Sequence, residues 1–326
     1  MGFSISRPSA MGDNMENPFL YSDDNKRYHT LSYHLKHHFN RRVFKAVIDA
    51  GLTCPNLDGT KGVGGCTYCL HGSGEFTHGA EKSVPVQLQA ELNRVRKKWE
   101  NADVIAYFQA HTNTYAPLSK LRKLYEAALA QDGVCGISVA TRADALEPET
   151  MDYLAELSRR TYLTVELGLQ TIHDSTARSI NRGHTYAEFL QAYEALKARG
   201  IRVCVHIING LPGETDEMML QTAAAIGSLQ ADAVKIHLLQ IMEGTVLARE
   251  YAARKVIPMT KENYIDLVCA QLEVLPSKTV IERITGDGSH DKLIAPRWGV
   301  DKIAVLGGID QALVQKNTWQ GKRLTS

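Results

Sequence analysis

The stretch LTVELGLQ (163–170), followed by YAEFLQAYEALKAR (186–199) and VCVHII (203–208), decides the fold. The first segment alternates: Leu163, Val165, Leu167 and Leu169 lie on one face of an extended chain, and Thr164, Glu166, Gly168 and Gln170 on the other. The second has helical apolar spacing and the third is β-branched, so the three read as strand, helix and strand. Working outward, the unit recurs. Strands are predicted at Val43–Ile48, Val104–Gln109, Val134–Ala140, Leu163–Leu169, Val203–Ile208 and Ala233–Leu239. Helices are predicted at Val86–Trp99, Leu118–Ala130, Pro148–Arg160, Tyr186–Arg199 and Glu217–Leu229. A right-handed crossover of this length returns each strand parallel to the last. Six units are too few to close an eight-stranded barrel.

The predicted fold class is therefore α/β: a partial (β/α)6 TIM-like barrel with a C-terminal α+β extension. Residues 1–26 read as an N-terminal tail, 27–240 as the barrel with a special loop at 51–70, and 241–326 as the extension, a lid or substrate-docking element. Loops after the carboxyl ends of parallel strands carry the active site. The loop after the first strand lies there.

Composition narrows the function. With 37 Lys+Arg against 36 Asp+Glu the net charge is +1, which excludes a strongly basic, histone-like nucleic-acid binder. Hydrophobic residues at 44% and charged residues at 22% exclude a disordered chain and a membrane bundle. Residues 1–14 show no basic and then apolar leader pattern, so a cytoplasmic location with no membrane partner is expected.

Of six cysteines, three fall together: Cys54, Cys66 and Cys69, in CPNLDGTKGVGGCTYC (54–69). Cys135, Cys204 and Cys269 stand in apolar contexts and read as small core residues. A reducing compartment disfavours disulfides, so the cluster reads as a metal or redox site. Glycines at 59, 62, 64 and 65 let a loop wrap a bulky centre. Two centres fit. Zinc could take Cys54, Cys66, Cys69 and His71 in a closed tetrahedron. An iron–sulfur cluster held by three thiolates would leave one iron open for chemistry.

Strand parity collects polar side chains on the inner face: Tyr107, Gln109 and His111; Ser138 and Arg142; Glu166 and Gln170; Cys204 and His206; Lys235 and His237. Such a lining reads as a binding cavity, although a histidine such as His206 or His237 can equally be a satisfied core residue. GLPGET (210–215) ends in Thr215, a helix cap. Asn181-Arg182-Gly183 adds an arginine suited to a carboxylate or to a surface acid.

Taken in order, GLTCPNLDGTKGVGGCTYC (51–69), YFQAHTNTYAP (107–117), ISVATRADAL (137–146), VELGLQTIHDSTARSINRGHT (165–185), HIINGLPGET (206–215) and ERITGDG (282–288) resemble the radical S-adenosylmethionine (SAM) superfamily. The resemblance is to its Elongator-catalytic-subunit-like branch, of the YhcC/YtqA type. The usual superfamily spacing is C-x₃-C-x₂-C. Here eleven residues separate the first two cysteines, a long gap that this branch shares.

The resemblance implies that Cys54, Cys66 and Cys69 hold a [4Fe-4S] cluster whose open iron chelates SAM. It places Tyr68 near the adenine, Gln109 at the amino group, Glu166 and Gln170 at the ribose or amine, Arg182 at the carboxylate and Leu211 at the adenine edge. Ser138 joins this cofactor-binding set. Reductive cleavage of SAM would give a 5′-deoxyadenosyl radical that takes a hydrogen from substrate, with Lys235, His237 and His206 as catalytic candidates. It also implies tRNA as partner, an external one-electron donor such as flavodoxin or ferredoxin, and conversion of carboxymethylaminomethyl to aminomethyl at C5 of the wobble uridine. Two other readings stand beside it: a radical SAM enzyme acting on a small metabolite or peptide, and a zinc-stabilised RNA-binding protein. Basic clusters at Lys36, Arg41, Arg42 and Lys45 and at Arg94, Arg96, Lys97 and Lys98 are expected to flank the mouth of the site.

Overall fold

A computed structural model describes residues 19, 21, 23–70, 81–286 and 291–324. His71 and the first eighteen residues lie outside them. The chain runs α1 (Leu31–Phe39), β1 (Val43–Ile48), α2 (Val84–Arg96), β2 (Asp103–Phe108), α3 (Leu118–Leu129), β3 (Val134–Arg142), α4 (Pro148–Arg160), β4 (Tyr162–Gln170), α5 (Asp174–Ser179), α6 (Tyr186–Ala198), β5 (Arg202–Asn209), α7 (Asp216–Ser228) and β6 (Ala233–Leu238). It continues through β7 (Ile241–Met242), α8 (Val246–Ala252), α9 (Lys261–Glu273), β8 (Val280–Arg283), β9 (Leu293–Ala295) and α10 (Lys302–Gln315). The anticipated strands and helices are all present, with ends shifted by at most three residues. Threonine caps start several helices. Thr215 accepts from the Met218 amide at α7, and Thr185 forms a reciprocal capping box with Glu188 at α6.

One all-parallel sheet runs in the order β1-β2-β3-β4-β5-β6-β8, curled into a half-barrel. The partial barrel holds, with seven strands in place of six. The seventh, Val280–Arg283, comes from beyond residue 240 and is only four residues long. It pairs with β6 after a crossover that contains β7, α8 and α9. The convex face is apolar: Leu163, Val165, Leu167 and Leu169 of β4 sit in a continuous core with Leu88 of α2, Leu121 of α3, Leu154 of α4, Phe189 of α6 and Ile226 of α7. Gly227 permits one close approach in this layer, because a Cβ there would run into the Val274 carbonyl oxygen at the end of α9.

The concave side has three levels. At the amino ends, α1 plugs the barrel, with Leu31 and Leu35 packed among Val43, Ile105, Cys204, Ala233 and Val280. His29 accepts a bond from the Ile281 amide (2.7 Å), which seats α1 against β8 as well as β1. Above the plug lies a layer of buried charge. Lys45 Nζ donates to Glu166 Oε1 and to Glu282 Oε2, 2.5 Å each. Lys235 donates to Glu166 Oε2 and, at 3.1 Å, to the Tyr107 hydroxyl. His206 Nε2 stands 2.8 Å from Glu166 Oε2. The Lys45–Glu282 pair bridges the seam between the sheet edges β1 and β8, where a cavity of about 290 Å³ remains. Lys45, grouped by composition with the surface bases, is an interior residue.

Burial by itself would raise the Glu166 carboxyl, but Lys235 and Lys45 override it and hold the group well below the usual carboxylate range. Burial opposes ionisation of Glu282 as well, and Lys45 again keeps it low. Lys45 is desolvated, yet its two carboxylates raise it.

The remaining bases do not flank the mouth. Arg41 and Arg42 directly precede β1, and Arg94 and Arg96 lie at the carboxyl end of α2, which leads into β2. In a parallel sheet both positions are at the amino edge, opposite the cysteine loop. Several are also neutralised: Arg41 pairs with Asp103 at 2.6 Å and Lys36 with Asp23 at 2.5 Å.

Replacing Gly227 with Ala is expected to lower stability by about 1–3 kcal/mol, since the α7–α9 contact must open. Chemical denaturation of the two proteins measures this. Glu166→Gln strands buried Lys235 and leaves Lys45 with Glu282 alone, and is expected to cost about 3–5 kcal/mol at neutral pH. Because the folded carboxyl is held below its ordinary value of 4.5, that difference is fully present above pH 4.5 and narrows as pH falls through the lowered folded value. Melting temperatures across pH test both size and sign; a gap independent of pH would overturn the electrostatic account.

Candidate active site at the carboxyl edge of the sheet

The cysteine loop folds on itself before anything binds. Leu57 donates its amide to the Cys54 carbonyl (2.8 Å), Gly65 to Asn56 (2.8 Å) and Cys69 to Cys66 (2.9 Å). Gly64 and Gly65 adopt φ of +82° and +73°, the left-handed region that favours glycine. A clamp comes from the segment after α5. The Asn181 side chain donates to the carbonyls of Val63 (3.1 Å) and Gly65 (2.8 Å), while buried Asn56 donates to the Asn181 carbonyl at 2.6 Å.

Two donors also approach the Cys66 sulfur: Asn56 Nδ2 at 3.7 Å and Arg182 Nη1 at 3.9 Å. Arg182 is buried and held by the Gly168 carbonyl (2.6 Å). Its own carbonyl accepts from Arg142 (2.8 Å), which Asp144 grips through two bonds of 2.8 and 2.9 Å. Cys69 opens to solvent, yet the surrounding protein desolvates its thiol and, with Cys66 and Cys54, pushes it up to about 12. The two arginines act in the opposite sense, favouring thiolate.

Cys54, Cys66 and Cys69 line one cavity of about 260 Å³. Among the described residues no three His, Cys, Asp or Glu side chains gather closely enough for a single metal ion. A tetrahedral zinc site would draw its sulfurs to within about 4 Å of one another. A four-iron cluster would take one thiolate per iron, and the three cysteines line one volume.

Many polar groups line the cavity wall above the charge layer: Gln109, His111, Arg142, Glu166, Gln170, His206, His237 and Arg283. Gln170, at the end of β4, has φ of +76°. Its Oε1, together with Nε2 of His237 and Nε of Arg182, is buried with no protein partner among the described residues. Buried polar atoms are normally paired, so unpartnered ones around a cavity mark places a polar ligand would satisfy. That fits the functional groups of SAM. Burial pushes His206 down despite its bond to Glu166, and pushes His237 well below the ordinary histidine range. Both rings, with centroids 5.2 Å apart, are neutral near pH 7 and can accept a proton.

Of the residues singled out by sequence, Cys54, Cys66, Cys69, Tyr68, Gln109, Glu166, Gln170, Arg182, His206 and His237 meet at this cavity. Three do not line it. Ser138 is fully buried one level down, its hydroxyl without a partner among the described residues. Leu211 lies in an apolar cluster with Ile180, Ile208 and Leu247, against which Tyr68 packs. Lys235 is in the charge layer, behind Glu166. Sequence reasoning assigned no site role to Lys45, Glu282, Arg283 or Asn56. The alternation of VFKAVI (43–48) places Lys45 with Val43 and Val47, a usable signal; four-residue β8 has no alternation to read, and Glu282 and Arg283 stood out only within the ERITGDG segment.

Comparison with known proteins bears on the site. The profile of the Radical SAM superfamily matches residues 60–226, and the Radical_SAM C-terminal domain matches 231–315. The uncharacterized protein YtqA of Bacillus subtilis is 48% identical over 307 residues, 94% of this chain and 95% of that one. A tRNA uridine(34) acetyltransferase of Methanocaldococcus jannaschii is 27% identical over 52% of this chain, which spans only 31% of that protein. The solved structure of Methanocaldococcus infernus Elp3 superposes with a TM-score of 0.67 at 17% identity, covering 86% of this chain and 64% of that one, and shares the fold. Among the described residues no helix is long and apolar enough to cross a membrane. With a matching profile over half its length, a half-barrel and three cysteines around one polar cavity, the chain belongs to the radical SAM superfamily and is an enzyme that uses a [4Fe-4S] cluster and S-adenosylmethionine.

Proposed function

We propose that this enzyme modifies tRNA at the C5 side chain of the wobble uridine, converting a carboxymethylaminomethyl group toward aminomethyl. The observation that carries the radical part of the reading is the single cavity in which three cysteines face a polar wall. What supports tRNA is the similarity to a tRNA uridine(34) acetyltransferase over half of this chain. Acetyl transfer is not carried over, since only about a third of that protein is matched.

Cys54, Cys66 and Cys69 would hold the cluster, and Gln109, Gln170, Arg182 and Tyr68 would hold SAM beside it. When bound and reduced by an external donor such as flavodoxin or ferredoxin, the pair supplies a carbon radical able to take a hydrogen from an unactivated position. The chain's own residues do the rest. Asn56 and Arg182 donate toward the Cys66 sulfur and so stabilise its negative charge. Tyr68, packed on the Leu211 cluster, forms an apolar wall that keeps water from one side. His206 and His237, neutral and facing the cavity, are placed to hold or accept a proton at Nε2 or Nδ1 as the uridine substituent reacts. Lys235 acts through Glu166, fixing the carboxylate that orients His206.

The test is anaerobic reconstitution followed by assays of iron, zinc, 5′-deoxyadenosine and modified nucleosides, with tRNA from cells lacking the protein as substrate. Expected are iron-loaded protein, SAM cleavage and a change in the wobble nucleoside, with iron content falling and both activities lost in Cys66→Ala. Cleavage with no change in any tRNA nucleoside would favour a small-molecule or peptide substrate. Zinc-loaded protein that binds RNA and never cleaves SAM would overturn the radical mechanism.

A further inference from the structure

A second cavity, larger than the catalytic one at about 720 Å³, lies at the amino edge of the sheet. Three segments wall it: the chain entering α1, the turn Pro276–Lys278 ahead of β8, and the tail after α10. Buried Gln320 knits these together. It accepts from the His29 amide (2.8 Å) and donates to the carbonyls of Pro276 (2.7 Å) and Thr279 (2.8 Å). The cavity is therefore part of the folded framework, with a volume in the range of nucleotide-sized ligand sites.

Its chemistry is aromatic and cationic. Phe19 and Trp319 stand with ring centroids 6.3 Å apart, and Tyr21 stacks on His29 at 5.0 Å. The Arg27 guanidinium lies 5.0 Å over Phe19, and Lys322 lies 5.0 Å over Trp319. Lys278 is exposed on the wall and pairs with no acid among the described residues. Lys26 is tied to Asp310, and among the described residues no Asp or Glu lines the cavity itself. Flat π-faces interleaved with cations, free of carboxylates, are what a base and its phosphate require.

We infer that this cavity binds a nucleotide, its base stacked on the Phe19–Trp319 side and its phosphate on Arg27 and Lys278. Resting on the tRNA reading above, its source is an unpaired nucleotide of the RNA being modified, held about one strand length, ~20 Å, from the cysteine loop. Arg42 lies on the same edge and adds positive charge that a bound RNA would follow, whereas Arg41 is neutralised by Asp103.

The experiment uses the full chain with its cluster reconstituted. AMP and UMP are titrated by calorimetry, and labelled single-stranded RNA and whole tRNA by fluorescence anisotropy over a salt series. Lys278→Glu and Arg27→Gln are the test variants, each confirmed to melt like the parent and to cleave SAM without tRNA at the parental rate. Expected are about tenfold weaker binding of mononucleotides and RNA in each variant, and a salt slope for RNA reduced by about 1. Mononucleotide binding lost in the variants while tRNA affinity is unchanged, or tRNA fails to bind at all, supports the nucleotide site and removes RNA as its source. Wild-type protein that binds tRNA but no mononucleotide, with the variants identical to it, overturns the site and leaves the tRNA reading intact.

Discussion

A single buried carboxylate organises this molecule. Glu166 sits in the middle of the half-barrel with no solvent access and two lysines and a histidine on its oxygens. Removing one ion from such a set leaves the others uncompensated, so the layer is formed whole or not at all. Its members come from β1, β2, β4, β5, β6 and β8, the whole sheet except β3. In a closed barrel the seam between first and last strands is sealed by backbone hydrogen bonds. Here Lys45 and Glu282 bridge that seam with side chains, and the sheet can stop at seven strands.

The layer also divides the interior by chemistry. Below it, Leu31 and Leu35 of α1 fill the barrel with apolar side chains and close the amino end. Above it, the wall carries polar groups, some with no protein partner among the described residues, around the space the cysteines face. Glu166 belongs to both roles, since its Oε2 also receives His206 and fixes that ring at the cavity floor. A structural demand, compensating buried charge, and a functional one, orienting a neutral histidine, are met by the same atom. Arg142 and Arg182 work similarly at the rim. Asp144 and backbone carbonyls fix their orientation, and their positive charge favours the thiolate of Cys69.

Much of this was legible in the sequence because two periods are strict. Alternation in β4 put Glu166 and Gln170 inward, and the spacing of strands put the cysteine loop at the carboxyl edge. The failures have physical reasons. Lys45 neighbours Arg41 and Arg42, and composition grouped it with surface bases although strand parity turns it inward. Glu282 lies on a four-residue strand that follows a long, mixed crossover, so no period announced it. Ser138 was read as inward-facing, and parity says nothing of height along the barrel axis; it lies beside Thr164, one inward position below Glu166. The basic clusters were read as charge without direction; once strands are parallel, a base preceding a strand belongs to the amino edge whatever its sequence neighbours are.

That last point bears on how a large substrate could be held. The catalytic cavity is narrow, about 260 Å³, and its rim is made of the cysteine loop and strand ends already occupied in building the site. The cluster and SAM would share it, which leaves room for no more than the reacting part of a substrate. Affinity for something the size of tRNA must therefore come from surface away from the rim, and at neutral net charge it cannot come from the molecule as a whole. The amino edge is where exposed cations and half-buried aromatic rings coexist, with no carboxylate lining the cavity among the described residues. Separating adhesion from chemistry in this way leaves the rim free to exclude water, a condition that radical chemistry imposes on any site of this kind.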